Sequence, residues 1–387
     1  MSEGIPMTDV LEDVLAYSRE ADYVGWDKHD GMSSRVREAL PFETKWTNLL
    51  FQESIKRAPV NLRPLLLVEQ RRSFLGAALF ALANLRAAEL ADEQCYRREA
   101  QELLDWIVDM SSPGYSGFCG GHQHTLQSLD GTQVLPEVPG VVGTAVATRA
   151  LIVGDEQFDT DYGDIASTAA DFVLEDLSYR RTEDGACINY KPTDSANKVV
   201  LNANALGARC LLDIAVYRGD DALREKAEAI LNYVSAKQLD IGGWEYTEPP
   251  SASYLDVDNF HNGYIIETFL DHREQTGSKR YSDVLDRALR FYRAELFDAN
   301  GAPHYDTENT YPRNIHDVAQ GTIVFSKAGD REFARRILDW GLQNLYGGDG
   351  QFYFEQSRFW TKSYTLMRWC EAWMAVALST IAGDPSG

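Results

Sequence analysis

His261 and His316 stand near the beginnings of two low-charge stretches, 258–270 and 315–326, and each has a carboxylate close by: Asp258 before His261, Asp317 directly after His316. Imidazole titrates near neutrality, so a histidine whose tautomer is fixed by a neighbouring carboxylate can take and return a proton. Tyr264 follows His261 by one helical turn and shares its face. Such a set suits removal of the proton alpha to a carboxylate, the first step shared by uronate epimerisation and β-elimination. The same segments offer carboxylate pairs for glycoside hydrolysis among Asp258, Asp317, Glu245 and Glu371, a chemistry in which the separation of the pair decides the mechanism. A plainer reading makes Asp258 and Asn202 helix N-caps and His261 a satisfied core imidazole.

Residues able to bind rather than react lie at equivalent places. Asn202, Asn204, Asn259 and Arg368 fall near the starts of apolar stretches, and the loops before those stretches carry Tyr190, Lys191, Trp244, Tyr246, Tyr305 and Arg313. Tyrosine and tryptophan rings with interspersed amides suit the flat faces and hydroxyls of sugars, and the basic groups suit a carboxylate. For Trp244 and Phe352, which recur at one point of the repeat, packing between hairpins is an equal alternative.

These residues are carried by an internal repeat. Amphipathic stretches run into glycine-and-aromatic turns at Gly117-Phe118, Gly185 to Tyr190, Gly243-Trp244, Gly301 to Tyr305 and Gly350 to Tyr353. The last four recur at roughly 50–60 residues, a spacing suited to one helical hairpin and a long loop. Trp26 to Met32 reads as a looser copy at the front. Stretches 93–109, 160–177, 220–238, 279–296 and 331–345 have one apolar face, as outer helices require, whereas 73–88, 140–153, 199–217, 258–270, 315–326 and 362–379 are apolar on most sides and must be surrounded by protein. Strict alternation predicts an all-α (α/α)6 toroid over 1–387 as a single domain, with 1–45 as an N-terminal extension and first, less regular hairpin. The turns then gather at one rim with the inner-helix N-termini, which favour anionic groups.

Composition narrows the function classes. The chain has 387 residues, 44% hydrophobic and 25% charged, and a formal charge of −22, which disfavours nucleic acid or an anionic membrane as partner. The five cysteines are scattered, His122 and His124 in a glycine-rich loop read as plain polar residues, and the phosphate-cradle, dinucleotide and nucleophile-elbow motifs are absent, so no metal and no cofactor is expected. Met1 to Pro6 carries no basic-then-apolar leader and no membrane-length apolar run is apparent, so a cytoplasmic protein without direct membrane insertion is expected.

Gly242-Gly243-Trp244-Glu245-Tyr246, followed by Asp256 to Tyr264, resembles the polysaccharide-biosynthesis proteins of the VpsJ type and archaeal AglQ-like proteins of S-layer N-glycosylation. Asn189-Tyr190 with Asn202 and Asn204, Ile315-His316-Asp317, and Met367-Arg368-Trp369 with Ala372-Trp373-Met374 extend the likeness, which runs from about Trp26 onward. Gly120-Gly121-His122-Gln123 departs from the tryptophan-bearing stretch of that group. The resemblance implies a toroid handling a glycan or a nucleotide- or lipid-linked sugar in surface-glycan assembly. Epimerase or isomerase action on a hexuronic-acid-containing precursor is the leading expectation, with glycoside hydrolysis, uronate lyase activity or a non-catalytic glycan-binding scaffold as alternatives.

Overall fold

The computed structural model describes residues 7–41, 43–91, 93–127, 133–195 and 197–383. The Met1 to Pro6 segment read for a leader, and residues 384–387 of the expected domain, lie outside the described residues. The chain begins with an outer helix, Met7–Glu20 (α1), and two rim helices, Arg35–Glu38 (α2) and Lys45–Arg57 (α3). Inner Phe74–Ala91 (α4) is followed by outer Gln94–Asp109 (α5), and inner Val141–Asp155 (α6) by outer Tyr162–Ser167 (α7) and Ala169–Asp171 (α8). Next come inner Leu201–Arg218 (α9), outer Asp221–Ala236 (α10), inner Asn259–Thr276 (α11) and outer Ser282–Glu295 (α12). Inner Ile315–Ala328 (α13), outer Arg331–Asn344 (α14) and inner Trp373–Ala382 (α15), entered through a π-helical turn at Met367–Ala372, complete the series.

The two textures seen in the sequence become two layers. In α12 only Leu285, Ala288, Phe291 and Tyr292 are buried, a single stripe, whereas in α9 every residue from Leu201 to Ala215 is buried. Each inner helix packs on the next, and α15 packs back on α4, so the ring closes as an (α/α)6 toroid. Helix α4 is long and apolar enough by length and composition to cross a membrane, though Arg86 and Glu89 interrupt its apolar run, and it is mostly buried as a member of that ring. The expected extension at 1–45 contains a regular outer helix, since Val10, Leu11, Val14 and Leu15 of α1 form a buried stripe against α15. The expected outer helix at 160–177 is instead divided into α7, α8 and a π-helical turn at Phe172–Asp176.

The repeated turn glycines explain how neighbouring hairpins lock together. A Cβ on Gly117 would lie 1.8 Å from the Thr168 carbonyl oxygen, on Gly185 2.2 Å from that of Ala229, and on Gly242 2.7 Å from that of Arg287. On Gly301 it would meet the Arg336 backbone at 2.5 Å, and on Gly350 the Asp13 carbonyl oxygen at 2.2 Å. Each turn therefore lies directly on the backbone of the next outer helix, and the last turn lies on α1. Only glycine permits that approach.

Within the ring the later turns of the inner helices are joined by buried ion pairs. Arg149 of α6 binds Asp213 of α9 at 2.9 Å and Asp271 of α11 at 2.6 Å, Arg209 of α9 binds Glu267 of α11 at 3.4 Å, and Lys327 of α13 binds Asp271. Three cations thus face three carboxylates, which is what buried charges require.

Gly350→Ala places a methyl group on the α1 backbone at a residue with φ of +74°, whereas Gly219→Ala, at φ +66°, meets nothing within 4 Å. The first change should cost about 2 kcal/mol or more and the second only about 1 kcal/mol. Equal denaturant midpoints for the two variants would show that α1 does not close the ring.

Candidate active site

The N-terminal ends of the inner helices surround a cavity of about 650 Å³. Tyr190, Asn202, Tyr246, Asp258, His261, Tyr264, Tyr305, His316 and Arg368, all expected at the site from sequence, line it. His29 and His122 also line it, so four of the chain's seven histidines meet in one place.

Asp258 caps α11. One carboxylate oxygen accepts the His261 backbone N–H at 3.1 Å, and the other lies 2.6 Å from His261 Nδ1. The cap reading and the chemical reading of Asp258 are therefore both satisfied by one side chain. With Nδ1 turned to the carboxylate, Nε2 is the nitrogen left for a ligand. The Tyr246 ring lies 4.5 Å from the His261 ring and fixes its tilt.

His316 is held differently. Its ring stacks between Phe260 and Trp373, each at 4.7 Å, with Trp369 edge-on at 4.6 Å, and Nε2 shares a 2.8 Å hydrogen bond with the Tyr264 hydroxyl. Burial, reinforced by the Arg368 and Lys28 charges, keeps this imidazole well below its ordinary pKa, and burial raises Tyr264 well above that of a free phenol. The pair is a neutral imidazole hydrogen-bonded to an intact hydroxyl. The Asn314 carboxamide oxygen caps α13 through the His316 N–H at 2.9 Å and accepts Trp369 Nε1 at 2.9 Å, setting the indole beside the imidazole.

Arg368 enters from the π-helical turn. Its Nε and Nη2 each lie 2.5 Å from Asp27, whose carboxyl is desolvated yet held well below the usual range by this guanidinium. Nη1 is left for a ligand. Burial, and then the Arg368 charge, lowers His122 to about 3, while burial and the Lys56 charge hold His29 well below its ordinary value. The lining holds six basic residues, Lys28, Lys56, Arg57, Lys191, Lys362 and Arg368, against the acids Asp258 and Glu355, in a chain of formal charge −22.

Five expected site residues do other work. Asn204 Nδ2 donates to the carbonyls of Ile188 and Val200 at 3.1 and 2.9 Å, and its Oδ1 accepts the Ile188 N–H at 2.8 Å. Asn262 clamps Trp244 and Asp258 in the same way, at 3.1, 2.8 and 2.8 Å, and Thr144 bridges Gly120 and Gly140. These side chains bind the turns to the inner helices, one per hairpin. Asn259 is likewise buried, tied to the Leu296 and His304 carbonyls and to Tyr292. Trp244 is fully buried, stacked on Phe269 and hydrogen-bonded to the Val234 carbonyl. Arg313 turns away from the cavity to Asp298, at 2.7 Å. Asp317 lies buried behind the lining, its carboxyl raised well above the usual range by burial and by the Asp258 charge, out of reach of a ligand in the cavity. Asn202, by contrast, is not an N-cap, because Val200 occupies that position and Asn202 faces the cavity. The sequence reading missed Lys28 and the cavity-lining place of His122. Among the described residues no group of three or more His, Cys, Asp or Glu side chains is placed to hold a metal ion.

No family model and no curated protein matches the sequence. Solved structures do match the fold. Cellobiose 2-epimerase from Bacillus thermoamylovorans superposes with a TM-score of 0.60 at 12% identity, over 80% of this chain and 87% of that one. The GH76 α-mannanase of Bacteroides thetaiotaomicron gives 0.60 at 13% identity, over 80% and 86%, and a polysaccharide lyase gives 0.60 at 9% identity, over 97% and 96%. At such identities the likeness shows the (α/α)6 toroid and leaves the chemistry to the site.

Asn204→Ala removes three hydrogen bonds to buried backbone and should destabilise the protein by about 2 kcal/mol, whereas Asn202→Ala, at the cavity wall, should cost under about 1 kcal/mol. Chemical denaturation of the two variants checks this. The reverse order would return Asn204 to the binding surface.

Proposed function

We propose that the protein is a sugar epimerase or isomerase that moves a proton on a hexuronic-acid-containing glycan or its nucleotide- or lipid-linked precursor. The proposal extends to a cytoplasmic place in surface-polysaccharide or N-glycan assembly, as the VpsJ- and AglQ-like motifs imply, with 1–387 working as one domain. The observation that carries it is the His261–Asp258 pair at the cavity wall. His261 Nε2 takes the proton from the carbon next to the carboxylate or carbonyl, and the electron pair passes into that group as an enolate. Asp258 accepts the Nδ1–H and stabilises the imidazolium as it forms. For inversion the Tyr264 hydroxyl, hydrogen-bonded to His316, gives its proton to the other face of the same carbon; solvent then reprotonates the phenolate so formed, and His261 releases to solvent the proton it took. Arg368 lines the wall, and its guanidinium receives developing negative charge there.

Glycoside hydrolysis is less well supported. It needs two carboxyl groups flanking one bond, and the carboxylates that line the cavity are both engaged, Asp258 by His261 and Glu355 by Lys362 at 2.8 Å.

Incubation of the purified protein with hexuronate oligosaccharides and with neutral hexoses in D2O tests the reading. One carbon-bound deuterium per turnover is expected, falling by about 100-fold or more in His261→Gln and in His316→Gln. An ultraviolet-absorbing unsaturated product would point to elimination instead. No exchange in the wild type, or exchange unchanged in both variants, would refute proton transfer by these histidines.

A further inference from the structure

Two ammonium groups at the cavity wall, Lys28 and Lys191, have neither work in the scheme above nor a side-chain hydrogen bond or ion pair among the described residues; Lys191 faces only the ring of its neighbour Tyr190, at 5.3 Å, whereas Lys28 is lodged among the rings of the wall. Lys28 comes from the segment between α1 and α2, and its ammonium lies 3.7 Å from the centroid of the Trp369 ring, with the rings of Phe260 and Phe354 at 5.7 and 6.0 Å. It takes no hydrogen bond and no ion pair among the described residues. A lysine so placed loses much of its hydration and gains only the attraction of ring faces in return. No group around it pairs with it at contact distance. Lys56 of α3 and Arg368 repel it, and Glu355 and Asp317 attract it without reaching it, Glu355 being paired with Lys362 and Arg368 with Asp27. Burial first, and then the Lys56 charge, brings its pKa down to about 8. In a protein of charge −22, an unpaired ammonium inside a cavity marks the place of an anion brought by the ligand.

We infer that Lys28, which shares the Trp369 indole with the Arg368 guanidinium, is the specificity determinant that binds an anionic group of the sugar substrate, a carboxylate or a phosphate. The inference rests on the cavity being a sugar site, as argued above, and does not depend on which step His261 performs. A ligand anion supplies the missing partner and holds the ammonium protonated, so binding above pH 8 requires proton uptake by Lys28. Affinity for the anionic sugar is then full below pH 8 and falls about tenfold per unit above it until the bound-state pKa is reached.

Calorimetric titration of the full chain with glucuronate, glucose 1-phosphate and glucose provides the test, because it reads binding without turnover. Wild type should bind one or both anionic sugars roughly tenfold or more tighter than glucose. Preference for glucuronate assigns the subsite to a carboxylate, and preference for glucose 1-phosphate assigns it to a phosphate; either supports the inference. Lys28→Met should abolish the preference and Lys28→Arg restore it, with the decline above pH 8 absent in Lys28→Arg because guanidinium does not titrate there. The decline in wild type needs no variant to fold. No preference for an anionic sugar in wild type, a preference intact in Lys28→Met, or a profile flat from pH 7 to 9 in wild type would each overturn the inference. If Lys28-dependent binding persists while no deuterium exchange occurs, the proton-transfer reading fails and this one stands.

Discussion

The architecture depends on backbone passing over backbone at five turns, with no side chain between. Gly117, Gly185, Gly242, Gly301 and Gly350 each rest on the main chain of the following outer helix, and the last rests on α1. This contact turns a row of hairpins into a ring, since the sixth unit has the first as its neighbour. A row that stayed open would leave the apolar flanks of α4 and α15 in water. Closure also fixes the site, because Lys28, His122, Asn202, His261, His316 and Arg368 come from segments far apart in sequence and share a wall only if the ring is complete.

Charge is distributed in opposition to the composition. The surface is acidic, the later turns of the inner helices are neutralised pair by pair, and the cavity wall is basic with its histidines largely uncharged. Keeping His29, His122 and His316 neutral limits the positive charge, so among the described residues the cavity holds a few committed cations and two amines, Lys28 and Lys191, without an ion pair. Desolvation does most of this, since a buried imidazole sheds its proton more cheaply than it finds a partner. The one imidazole with a carboxylate on its Nδ1 at the cavity wall is His261, and that asymmetry separates it from the rest.

Much of the fold was legible because the repeat is local. Glycine with an aromatic neighbour marks a turn, and the contrast between one-faced and all-round apolar stretches separates the two layers. Helix α1 escaped recognition because the turn after it, Tyr23-Val24-Gly25-Trp26, stands much farther from the next turn at Gly117 than the later turns stand from one another. The site was harder to read for a geometrical reason. Asn202 and Asn204 are two positions apart, which on a helix turns them about 200° from each other, so one faces the cavity and the other clamps the preceding turn. Both belong to the same end of the same layer, and nothing in the residue types says which is which. Asn262 performs the same clamp one hairpin later, a correspondence visible only once the loop carbonyls are placed. Lys28 lies outside the repeat, in a segment whose path over the mouth is set by the Asp27–Arg368 pair at the far end of the chain.

The central claim is that a sugar sits in this cavity with a reacting carbon against His261. A crystal structure of the protein with a hexuronate bound examines that directly. The ring should lie among the inner-helix N-termini, with a carbon bearing the labile hydrogen within about 3.5 Å of His261 Nε2 and Tyr264 on the opposite face. A sugar seated outside the cavity, or one whose carbons all lie beyond reach of Nε2 while Nε2 itself is bound to protein, would contradict it.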